Sequence, residues 1–69
     1  MRLKNETDCL QAIEEWKKYS DESQMRNLKV SIETMELDLM YYEDKGSERS
    51  AERLSICLTI LNKRLSEVS

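Results

Sequence analysis

The chain has 69 residues, 36% of them charged, with a formal net charge of only -3. That length supports one small domain, 1–69, and the interspersed signs leave no one-signed field for nucleic acid or an anionic membrane. No apolar run approaches the ~20 residues of a bilayer span, and with no histidine the commonest general base and metal ligand is missing.

One glycine, no proline and an abundance of Glu, Lys, Leu, Arg and Met favour long helices and give strands little support, so the expected fold class is all-α. A short N-terminal helix is predicted over about 6–19. Asn5 offers its N-cap, Asp8 stands in its first turn, and Lys17 and Lys18 place positive charge at its far end. Its apolar stripe is Cys9, Ala12, Ile13, Trp16 and Tyr19. The residues SDES at 20–23 read as a stop and a restart, with Ser20 capping a new helix whose first turn carries Asp21 and Glu22. Neither glycine nor proline enforces that break. The alternative is a single helix from about 6 to 45, roughly 60 Å long.

The second helix is predicted over about 21–45. Met25, Leu28, Ile32, Met35, Leu39 and Tyr42 recur in steps of 3, 4, 3, 4, 3, a heptad seam. Val30, Leu37 and Tyr41 make a second apolar face on its back. Gly46 suits the left-handed position that ends a helix, and Ser47 or Ser50 is expected to cap the next one, so YYEDKGSERSAER at 41–53 reads as a hairpin bend. Its basic residues Lys45, Arg49 and Arg53 share a helical spacing, but Asp44, Glu48 and Glu52 alternate with them, which favours an ion-paired bend over a phosphate site.

The third helix, about 48–68, repeats the rhythm with Ala51, Leu54, Leu58, Leu61, Leu65 and Val68. Reversal at Gly46 sets these against the first seam in antiparallel order, Tyr42 facing Ala51, Ile32 facing Leu61 and Met25 facing Val68. Ile56 and Ile60 lie off the seam. The flanking positions Ser31, Ser50, Ser55, Cys57 and Asn62 are small or uncharged and leave room for another helix in the groove. The expected architecture is therefore an antiparallel helical hairpin plus a short N-terminal helix, in a three-helix or oligomeric bundle.

Chemistry is hard to find. Glu14, Glu15, Glu33, Glu36 and Asp38 have only helix-surface spacing, and no glycine-rich phosphate loop or calcium-loop pattern occurs. Cys9 and Cys57 are too far apart in sequence for a zinc or redox motif and read as reduced core thiols. The expectation is no enzyme, no cofactor, no metal and no small-molecule substrate. It is instead a non-catalytic protein–protein interaction module in the cytoplasm, a small adaptor, chaperone or inhibitor, because the secondary apolar faces exceed what one short helix can cover. The residues expected to bind protein are Ile13, Trp16, Val30, Leu37, Tyr41, Ile56 and Ile60, with Trp16 as anchor. A self-associating structural bundle is the alternative, with a homo-oligomer as its product. A nucleic-acid-binding helical hairpin dimer is a third reading, which lacks the one-sided basic face it needs.

In architecture alone, the matched seams over 25–68 resemble the small co-chaperones of type III secretion needle subunits and the compact inhibitors that bacteriophages encode against host proteins. That resemblance implies protein binding and assigns no residue a role.

Overall fold

The computed structural model describes Leu3 and residues 5–69 and contains three helices: α1 (Glu6–Trp16), α2 (Asp21–Lys45) and α3 (Glu48–Val68). They form an elongated bundle with extents of 38 × 19 × 18 Å. All secondary structure among the described residues is helical, and the expected hairpin with a short N-terminal helix is what the chain adopts.

α1 begins where Asn5, in extended backbone, accepts the Asp8 amide on its side-chain oxygen at 2.9 Å. It ends at Trp16, earlier than the expected boundary near 19. Its last turn tightens, the Lys18 and Tyr19 amides bonding back three residues to Glu15 and Trp16. The continuous helix from 6 to 45 does not form, although no glycine or proline interrupts it. Ser20 turns extended (φ -62°, ψ 159°) and accepts the Ser23 amide on its hydroxyl at 3.2 Å, so a side-chain cap alone restarts the helix. The buried Gln24 secures the corner by donating from Nε2 to the Tyr19 carbonyl at 3.0 Å.

The bend between α2 and α3 is set by backbone chemistry. Gly46 takes the left-handed conformation (φ 77°), its amide bonding to the Glu43 carbonyl at 3.1 Å while the Ser47 amide reaches the Tyr42 carbonyl at 2.9 Å. This pair of bonds satisfies two of the carbonyls that a helix C-terminus leaves free. Nothing lies within 4 Å of where a Cβ would stand, so glycine is required by the dihedral angle and not by lack of room. The expected serine cap on α3 is not made: Ser47 makes no side-chain cap bond, and Ser50 already lies inside the helix. The carbonyl of Ser47 instead accepts the Ala51 amide at 3.1 Å.

The core is built from the two seams and the inner stripe of α1. Leu28, Ile32 and Met35 of α2 and Leu54, Cys57 and Leu61 of α3 are buried together with Leu3, Cys9, Ala12 and Ile13. Leu39, Tyr42, Leu65 and Val68 pack against them toward the two ends of the seams, and Leu58 does so at mid-seam. α1 lies chiefly on α3, and its Cys9 meets Cys57. Glu14, further along α1, feels the charge of Arg64, further along α3, so the two helices run in the same direction with α2 antiparallel to both.

Candidate interaction surface

The seven residues expected to bind protein separate into two groups. Ile13 is buried in the core at 8% exposure, and Trp16 and Ile60 are partly buried against it, so these three are engaged within the molecule. The expectation that Ile13 faces a partner is corrected by this: α1 folds back and turns its stripe inward. Trp16 serves packing in the same way. Val30, Leu37, Tyr41 and Ile56 remain exposed, the first three on the outer face of α2.

Helical geometry explains the division. On α2 the core seam occupies one side, and Val30, Thr34, Leu37 and Tyr41, spaced by 4, 3 and 4, occupy another. α1 lies mainly on α3 and leaves this second side open: Val30 is 58% exposed, Leu37 69% and Tyr41 53%. Met40, at 62%, widens the apolar strip and was not singled out by the heptad reading, because it stands one position before Tyr41 at the strip's edge. Tyr41 is held in place from two directions. Its ring meets Tyr42 edge-on, centroids 5.4 Å apart and planes at 71°, and Lys45 Nζ sits 4.7 Å above its centre. Thr34 donates its hydroxyl to the Val30 carbonyl at 3.0 Å, which satisfies its donor inside the helix.

Beside this strip, near the bend, Asp38, Tyr41, Tyr42 and Arg53 line an open cleft floored by Leu3 and Leu54. No cluster of three or more His, Cys, Asp or Glu side chains positioned to hold a metal occurs among the described residues. No helix there is long and apolar enough to cross a membrane.

Among the described residues the pronounced electrostatic perturbation lies in the core. Cys9 and Cys57 are free, fully buried thiols that face each other across the α1–α3 contact. Burial pushes both up from the usual thiol range. Contact with Cys57 raises Cys9 further, whereas contact with Cys9 partly offsets the rise at Cys57, and the nearby Asp8 carboxylate adds to both. Both thiols are therefore neutral and inert in the folded chain. Because folding raises these values, the associated stability is complete below the unfolded thiol's pKa near 9.0 and is lost as pH rises beyond it. Urea unfolding at increasing pH should show stability falling above pH ~9, by up to about 1.4 kcal/mol per pH unit from Cys9 and in the same direction from Cys57. The Cys9→Ala/Cys57→Ala variant should lack that fall, and equal slopes in the two proteins would refute the assignment.

Comparisons of the chain with protein-family models, with curated proteins and with solved structures returned no match to any of the three.

Proposed function

We propose that this chain is a non-catalytic protein-binding module, of the kind that works as a small adaptor, chaperone or inhibitor, and that the outer face of α2 is its binding surface. The observation that carries this reading is the exposed strip of Val30, Leu37, Met40 and Tyr41 on a helix whose opposite side is already committed to the core. Apolar side chains scattered singly on a surface mean little, but four along one helix face form a contiguous patch of the sort that marks contact with another protein. Tyr41, in contact with Tyr42 and Lys45, supplies a large amphipathic ring of the kind enriched at binding hot spots. The bordering Glu33, Asp38 and Asp44 argue against a nucleic acid or an anionic membrane as the ligand.

The test is capture of proteins from the native host on the immobilised chain, compared with Leu37→Glu and with Lys63→Glu, a charge reversal at an exposed position of α3. Leu37→Glu should reduce the captured partner by about tenfold or more, as expected when a charge enters an apolar contact, while Lys63→Glu should leave it unchanged. Equal recovery on all three proteins would remove the α2 face from consideration as the site that binds a host protein.

A further inference from the structure

We propose that a second copy of this chain covers the outer face of α2, the two α2 helices packing antiparallel about a two-fold axis that passes between Thr34 and Leu37. The inference rests on reading that face as a protein-binding surface, and it names the occupant.

The spacing of Val30, Thr34, Leu37 and Tyr41 is 4, 3, 4, which reads the same in both chain directions. A two-fold axis at its centre therefore places Val30 against the partner's Tyr41 and Thr34 against the partner's Leu37, a smaller side chain meeting a larger one in every layer. Each residue so placed is open to contact, Leu37 being the most exposed large apolar side chain among the described residues. Thr34, the one polar member, has already given its hydroxyl hydrogen to the Val30 carbonyl at 3.0 Å. It can enter a dry seam without stranding a donor.

The charges beside the seam choose the orientation. In the antiparallel pair the next layer outward sets Asp44 against the partner's Asn27 and beside the partner's Arg26, and symmetry makes this contact twice. An oppositely charged pair and an amide-to-carboxylate contact thus close each end. Parallel pairing in register would instead bring Glu33 against the partner's Asp38, also twice, and would stack Tyr41 on the partner's Tyr41. Like-charge juxtaposition disfavours that arrangement. The apolar seam is only ~16 Å long at ~1.5 Å per residue, so the dimer should be a weak one, with a dissociation constant on the order of micromolar.

Sedimentation equilibrium of the purified full chain from about 1 µM to about 1 mM should show the mass rising from the 8.2 kDa monomer to twice that value. Leu37→Glu should stay monomeric throughout with an unchanged far-UV circular dichroism spectrum, since Leu37 contributes nothing to the core. Arg26→Asp and Asp44→Arg should each weaken association about tenfold, and the double variant should recover most of the loss. A chain that remains monomeric at about 1 mM, a dimer indifferent to Leu37→Glu, or a double variant as weak as the single ones would overturn the proposal. A monomeric chain that still captures host protein through Leu37 defeats the dimer alone. A monomeric chain with no Leu37-dependent capture defeats the binding-module reading as well.

Discussion

Replacing Leu61 by alanine is expected to lower the unfolding free energy by about 2–5 kcal/mol. Leu61 has no exposed surface and lies in the same core cluster as Leu28, which is equally inaccessible. Deleting three heavy atoms there loses their transfer free energy and leaves a void that two helices, already fixed by the Gly46 bend, can only partly close. The size of the chain makes the loss severe. At roughly 0.05–0.15 kcal/mol per residue a domain of this length has about 3–10 kcal/mol in all, so the variant should lose a large fraction of its stability. Urea denaturation followed by circular dichroism gives the measurement, with Leu37→Ala as the companion at low protein concentration. Leu37 is 69% exposed, and its truncation should change stability by no more than about 0.5 kcal/mol. Similar values for the two variants would mean that the core has been assigned to the wrong side of the bundle.

Gln24→Leu is expected to cost about 2–4 kcal/mol, although it exchanges a polar side chain for an apolar one at a buried position. Gln24 is 4% exposed and uses both ends of its amide. Nε2 donates to the Tyr19 carbonyl at 3.0 Å, and Oε1 accepts from Arg64 Nη2 at 2.9 Å. The one side chain thus ties the corner between α1 and α2 to the far part of α3. Leucine would leave the Tyr19 carbonyl without this partner and strand a guanidinium whose side chain is only 22% exposed. Arg64 has little in reserve, since its Nε is buried without a hydrogen-bond partner and its remaining ion pair, to Glu67, is long at 3.6 Å. Combining Gln24→Leu with Arg64→Met removes the stranded charge along with its acceptor. The double variant should therefore be more stable than the sum of the single losses predicts, with a coupling energy of about 1 kcal/mol or more in a double-mutant cycle. Additive losses would show that the two side chains act independently.

The fold was legible to the extent that it depends on repetition. The two seams announce themselves through the 3, 4 spacing, and Gly46 marks the bend because a left-handed residue is needed there. Even the restart at Ser20 could be read, since its hydroxyl stands three positions before an amide that needs an acceptor. What could not be read depends on which surfaces meet across the bundle. Gln24 carries no mark of burial in a polar stretch, and only the placement of Tyr19 and Arg64 around it makes it a core residue. The stripe of α1 was visible, but a stripe does not say whether it faces its own chain or another. Docking on α3 answered that by taking Ile13 inward and drawing Trp16 and Ile60 against the core, while Val30, Leu37 and Tyr41 stayed outside. The pairing of Cys9 with Cys57 was hidden for the same reason, because contact across 48 positions leaves no local pattern.

That thiol contact bears on the order in which the molecule assembles. The two long helices meet after closing a very short loop at Gly46, and their zipping needs no distant segment. α1 must instead wait until a surface exists to receive it, and it has only eleven residues with which to hold on. It is therefore expected to dock last and detach first, and detachment would uncover two sulfur atoms that are otherwise sealed from solvent.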